Sequence, residues 1–198
     1  YKYAVGALGV IENELREKCI SIGVSFIISR IASVYGVSKS GTVIGGVIPD
    51  LLKKLLRNNK KITLMQGSAT TSRNFIHIDD VAHILFLLST SSIYNSGIYN
   101  ICSGRPINLS DFIEKLEGAL GKKANIIFEE MQPGDVFKTY ADTSKLTERT
   151  GFQAKTSFDQ GIENFKLVGV SSKTEEKVLK KISSFKNKPP FLNLDELC

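Results

Sequence analysis

Residues 4–22 set Val5, Leu8, Ile11, Leu15, Cys19 and Ile22 three or four apart, which puts one apolar stripe on a helix. Gly23 stops that helix, and "VSFIIS" (24–29) follows at once. Its apolar, β-branched run reads as a buried strand. A helix delivered into a buried strand through a short glycine link is the repeating unit of α/β folds. No all-helical or all-β arrangement accommodates it, so this junction fixes the class.

The remainder continues the alternation. A glycine-bearing loop (Gly36, Gly41, Gly45, Gly46) leads to a helix over 48–58, with Pro49 in its first turn, where proline is tolerated. Strands are predicted at 61–66, 74–78, 97–102 and 124–130. Asp79 is placed to cap a helix over 80–90. Asn108 and Asp111 suggest a capping box for a helix that Gly121 ends, and Ser157 with Gln160 suggests another for a helix running to about residue 168. Asp142 and Thr143 open a further helix, and His77, inside a strand, reads as a packed side chain. From residue 169 the chain turns Lys-rich, with one helical stretch (173–186) before Pro189-Pro190. Residues 169–198 are therefore expected to be a mobile appendage outside a main unit of residues 1–168.

Several function classes are disfavoured. The longest clean apolar run, "ILFLL", falls far short of the roughly 20 residues that span a bilayer, so no membrane is expected. Cys19, Cys102 and Cys198 have neither disulfide-framework nor zinc-site spacing, which points to a reducing cytoplasm and no metal. The net charge of +6 suits an acidic partner, either nucleic acid or a small anion. The basic clusters at 53–61 and 173–188 interleave no aromatics, so solvated helix faces are the better reading and nucleic acid is not expected.

Three stretches carry the chemistry. "SRIASVYG" (29–36) stands at the end of a strand, where ligands sit in open α/β sheets. "SRNFIHIDDVA" (72–82) sets Arg73 before a strand. "MQPGDVFKTYADTSKL" (131–146) is a loop holding Asp135, Tyr140 and Asp142. With "YKYAVGALGVIENEL", "GGVIPDLL" and "GIYNICSGRPINLSDFIEKLEGALG", these segments resemble, in order, the extended short-chain dehydrogenase/reductase family of nucleotide-sugar epimerases and dehydratases. The stretch that begins "MQPGDVFKTYADTSKL" is especially similar to UDP-glucuronate 4-epimerases.

The resemblance implies the C-terminal part of an NAD(P)-binding Rossmann-like fold with its small mixed α/β substrate-binding subdomain. It implies NAD as cofactor and a nucleotide-sugar, of UDP-sugar 4-epimerase type, as substrate. Tyr3 matches the tyrosine that shuttles a proton with a sugar hydroxyl and touches the cofactor. Ile31, Ala32 and Ser33 match the segment contacting nicotinamide, and Ser33 also the sugar. Gly46 and Val47 match positions on the nucleotide, and Arg73 the arginine on the diphosphate, whose oxygens a guanidinium fork fits bidentately. Asp135 matches the ribose contact, although a Pro-Gly-Asp turn has its own structural logic. Pairing of two copies through the N-terminal helix is also implied.

The departures are as specific. Ala7 stands where the family's Y-x-x-x-K motif has lysine, Ser33 where it has asparagine, and Asn74 where it has aspartate. A tyrosine base needs its pKa brought down from about 10, and alanine supplies no charge for that. The sequence contains no G-x-x-G-x-x-G loop. The chain is thus expected to lack most of the NAD-binding half, and a binding module without turnover is the alternative reading.

Overall fold

The computed structural model describes residues 2–37, 43–44, 48, 51, 54–55, 61–65, 71–90, 96–130 and 138–169. Tyr1, Gly46, Val47, Asp135 and the Lys-rich segment beyond residue 169 lie outside them. The elements are α1 (Lys2–Ser21), β1 (Ile27–Ile31), β2 (Ser33–Val37), β3 (Val43–Ile44), β4 (Lys61–Met65), β5 (Ser72–His77), α2 (Ile78–Thr90), β6 (Gly97–Ile101), β7 (Pro106–Asn108), α3 (Leu109–Leu120), β8 (Asn125–Glu129), α4 (Ser144–Thr150) and α5 (Phe158–Gly169). Described residues 48, 51, 54 and 55 are helical where a helix over 48–58 is predicted.

The mixed α/β class is as expected. β1 pairs in parallel with β6, and β4 pairs in parallel with β8. A four-stranded sheet runs β3-β2-β5-β7, with β2 parallel to β5 and both outer pairs antiparallel. β2 and β7 are strands that the hydrophobic pattern does not announce. β2 follows β1 after the single residue Ala32, and β7 is only three residues long.

β5 carries the packing. Its side chains alternate across the sheet, so Phe75 enters one core with Tyr35, Phe112 and Phe165, while Ile76 enters a second with Ile84, Ile101 and Leu146. A strand buried on both faces reads as a continuous apolar run, hence "FIHI". Phe75 stacks on Phe112 at 5.2 Å between ring centroids. α5 crosses Tyr35 at Gly161, where a Cβ would lie 2.5 Å from the ring's Cε2 and Oη. Only glycine permits that approach.

The helix ends test the local chemistry. Ser157 and Gln160 form a reciprocal capping box at 2.9 and 3.2 Å. Asn108 is the N-cap of α3, but its side chain makes no capping bond; Asp111 accepts instead from the Ser110 hydroxyl at 3.3 Å. Gly121 ends α3 in the left-handed region, at φ 63°. Asp79 does not cap α2, because the helix starts one residue earlier, at Ile78. The working carboxylate is Asp80. It is buried and accepts the backbone N–H groups of Lys155 (3.1 Å) and Thr156 (3.0 Å), tying the approach to α5 onto α2. His77 is packed as predicted: it is buried, its Nδ1 accepts the Asp79 N–H at 3.3 Å, and its ring meets the Tyr35 ring edge-on.

The apolar face of α1 is open. Its stripe does not enter a core: Leu8, Ile11 and Leu15 are exposed, as is Ile22 just beyond the helix. Among the described residues β6 is the only neighbour of β1, so no further strand extends that sheet toward the helix.

Candidate functional site

The chain changes partners at Ala32. Up to Ile31 it pairs with β6, and from Ser33 it pairs with β5. The Ala32 N–H makes the last bond to the β6 side, donating to the Ile101 carbonyl at 2.9 Å. Two strands that diverge from one chain leave a crevice at the branch, and such a point in an α/β sheet is where ligands fit.

A cavity of about 930 Å³ opens there. Ile31, Ala32 and Ser33, predicted as a group, all line it. α1 contributes Leu8, Gly9 and Glu12, and the facing wall is the strip Lys138–Ala141, with Asn74 and Asn100 between. The strip is held to β5: Ser72 bridges Lys138 in parallel, and the Thr139 N–H donates to the Ser72 carbonyl at 3.1 Å.

Arg30 and Glu12 join the two sides of the rim. Arg30 Nε donates to both carboxylate oxygens, at 2.9 and 3.1 Å, and Nη2 completes the fork. These bonds hold the Glu12 carboxyl below the ordinary glutamate range and push the guanidinium further up. Arg30 and Lys138 against Glu12 leave one net positive charge on the cavity's charged lining.

Asn74 is buried and joined on three sides. Its Nδ2 donates to Cys102 Sγ at 3.3 Å, its Oδ1 accepts from the Ser103 hydroxyl at 2.9 Å, and its backbone N–H donates to Thr139 Oγ1 at 3.4 Å. Cys102 donates onward to the Ala141 carbonyl at 3.3 Å, and burial pushes its thiol pKa up. Asn100 donates to the Asp142 carbonyl at 3.0 Å. Asp142 in turn accepts from the Ser144 hydroxyl and N–H, which keep its carboxyl below the usual range.

The other predicted residues are not assembled here. Arg73 is half-buried, next to Asn74 in β5 but not on this cavity, and its Nη1 donates to the Ser72 carbonyl at 3.0 Å. Tyr3 belongs to α1 by its backbone, its side chain lying outside what is described. Ala7 is exposed and absent from the lining, whereas Leu8, one residue on, is part of it. Sequence reasoning missed Glu12, Arg30, Asn100 and Lys138. The available signal was charge placed on apolar runs: Glu12 lies one turn after Leu8, and Arg30 interrupts the apolar run of β1, of which only Ile28 is buried.

The fit to NAD can be tested on helix starts. A pyrophosphate sits at a helix N-terminus behind a glycine-rich strand-to-helix loop, where negative charge is favoured. Two described helices follow a strand directly. α2 opens with Asp79 and Asp80 in its first turn, and α3 has Asp111 in its first turn. No glycine stands at either junction. These carboxylates occupy the electrostatic place of the phosphates, so the described residues do not fit the dinucleotide's pyrophosphate. Among them no helix is long and apolar enough to cross a membrane, and no group of acidic, histidine or cysteine side chains could hold a metal ion.

The chain is similar to known proteins in both sequence and fold. Residues 10–102 match the NAD dependent epimerase/dehydratase family. The chain is 31% identical over 156 residues to a dTDP-4-dehydro-6-deoxyglucose reductase of Escherichia coli, covering 79% of this chain and 46% of the relative. It is 31% identical over 98 residues to the UDP-glucuronate 4-epimerase of Thermodesulfobacterium geofontis, covering 49% and 30%. It thus spans less than half the length of either curated relative. The crystal structure of UDP-glucose 4-epimerase from Bifidobacterium longum, in complex with NAD+ and UDP, superposes with a TM-score of 0.71 at 20% identity, covering 83% of this chain and 53% of that one. At that identity the likeness is one of fold. Matched sequence and shared fold together make this chain a member of the NAD dependent epimerase/dehydratase family.

Proposed function

We propose that the protein works on a nucleotide-diphosphate sugar, in the UDP-sugar epimerase/dehydratase manner, and that this chain forms the sugar-facing side of the site. The observation that carries the reading is the cavity at the β1–β2 branch, lined by Ile31, Ala32 and Ser33. The matched family and the substrates named for the relatives support it.

In this reading Ser33 presents its hydroxyl to the sugar at the branch. Arg73 takes the diphosphate, whose oxygens its planar guanidinium fork suits. Gly46, Val47 and Asp135 complete the nucleotide side. The net positive lining favours an anionic ligand. Tyr3 is the candidate proton shuttle on the resemblance alone, and Ala7 offers no charge to lower its pKa.

Calorimetry with UDP-glucose, UDP-glucuronate and NAD, each alone, tests the proposal. A sugar nucleotide is expected to bind, with Arg73→Ala weakening it at least tenfold, and NAD is expected not to bind to this chain by itself. A folded protein that binds neither sugar nucleotide refutes the reading.

A further inference from the structure

The strip Lys138–Ala141 lines the cavity; Ser72 holds its start at Lys138 and Thr139, and the Asn74 side chain holds its far end. Asn74 lies in β5 with 2% of its surface exposed. Its main chain donates to Thr139 Oγ1, and its Nδ2 donates to Cys102 Sγ, which donates to the Ala141 carbonyl. The direction of this relay is set by Ser103. Its hydroxyl accepts the Arg105 N–H at 3.2 Å and has two acceptors in reach, Asn74 Oδ1 at 2.9 Å and the Arg105 carbonyl at 3.3 Å; with the shorter bond made, the amide turns its NH2 toward sulfur.

An aspartate at 74 has no donor to give. The thiol then turns to the carboxylate, and the Ala141 carbonyl loses its partner. Burial raises the thiol pKa and keeps Cys102 as S–H, able to donate. Behind the thiol lies a second cavity of about 310 Å³, lined by Cys102, Ser103, Thr143 and Leu146 among others. The relay is the side-chain hold on the Ala141 end of the strip.

We propose that Asn74 is a positioning residue of the site, acting through Cys102 and Thr139 to set the wall Lys138–Ala141 against Ser33, and that asparagine here is matched to the thiol at 102. The ligand arm of this proposal rests on the sugar-nucleotide reading above; the wall arm stands apart from it.

The test combines hydrogen exchange of the 138–141 peptide in the ligand-free chain with UDP-glucose affinity, for Asn74→Asp, Cys102→Ala, their double variant and Cys102→Ser. Each of the first two is expected to speed exchange of the strip about tenfold and to weaken UDP-glucose about tenfold. The double variant is expected to do no more than either alone, because both break one relay. Cys102→Ser, whose hydroxyl can accept and donate in the same places, is expected to keep wild-type exchange and affinity. Additive effects, unchanged exchange at 138–141, loosening spread evenly over the chain, or faster exchange with unchanged affinity would each overturn the proposal. If Asn74→Asp does not fold, the contrast between Cys102→Ala and Cys102→Ser decides it. If the wild type binds no UDP-glucose, the functional reading falls and exchange alone decides whether Asn74 sets the wall.

Discussion

Asp80 offers the sharpest test of how the fold is tied together. Its two carboxylate oxygens each accept one backbone N–H, from Lys155 and Thr156, across 75 and 76 residues of sequence. A hydrogen bond to a charged group contributes about 1.5–3 kcal/mol. The two donors are not equally placed, since Lys155 is exposed and Thr156 half-buried, so water can serve the first once the carboxylate is gone. Asp80→Ala is therefore expected to cost about 2–4 kcal/mol, nearer one strong bond plus part of a second. For a chain of this size that is a fall in melting temperature of roughly 5–15 °C. Asp80→Asn keeps one acceptor but faces an NH2 toward the other donor, and should fall between. The control is Asp79→Ala. That carboxylate is 84% exposed, and its loss is expected to stay within about 0.5 kcal/mol. Thermal or urea unfolding followed by circular dichroism reads all three. Equal, small effects at positions 79 and 80 would refute the reasoning, because burial and the paired N–H groups are all that separate them.

Three further outcomes follow. Gly161→Ala should destabilise by about 1–3 kcal/mol in urea unfolding, since its Cβ would drive into Tyr35, and Tyr35→Leu in the same chain should relieve part of that cost. The bonds from Arg30 depress the Glu12 carboxyl in the folded state, so their contribution to holding α1 is complete above the unfolded-state value of about 4.3 and is lost as pH falls through the lowered folded value. Hydrogen exchange of α1 should therefore quicken on acidification beyond the intrinsic rate change, and Arg30→Gln should abolish that extra response; an unaltered response in the variant would count against the ion pair. Leu8→Lys should change sugar-nucleotide affinity severalfold, because position 8 lines the cavity, while Ala7→Lys should leave it within twofold, because position 7 is exposed.

The elements legible in the sequence were those with a clear apolar period or a continuous apolar run. α1, β1, β4, β5, α2, β6, α3, β8 and α5 all lie within a few residues of where periodicity puts them. β2 was not legible. "SVYG" mixes an exposed serine, a half-buried valine, a buried tyrosine and a glycine with φ of 144°, and so shows neither strict alternation nor a continuous apolar run. β7 pairs only three residues with β5, too few for any period. Nothing local separates Asp80 from Asp79, because the partners of Asp80 are remote in sequence, and a buried carboxylate cannot be told from a capping one without knowing what returns to meet it. Ile31, Ala32 and Ser33 were legible as a site because a strand ending is a local signal. Asn74 was noticed as a departure from a motif, but its reason lies 28 residues away, in Cys102.

The register of α1 changes what the Ala7 departure means. The sequence reading paired positions 3 and 7, one turn apart, as the chemically meaningful face of the helix. The residues that α1 turns to the cavity are Leu8, Gly9 and Glu12. Leu8 and Glu12 are themselves four apart, so the cavity-facing pair has the predicted spacing shifted by one residue, about 100° of helix rotation. Five residues separate positions 3 and 8, which places position 3 about 140° around the helix axis from Leu8. Ala7 does not line the cavity, whereas Leu8, one residue on, does. An aliphatic side chain there, followed one turn later by a carboxylate already committed to Arg30, gives this wall no free cation to lower the pKa of a ligand hydroxyl or of a tyrosine. Arg30 is committed to that same pair, so among the described lining residues the charge left to meet an anionic ligand is that of Lys138, on the strip held to β5.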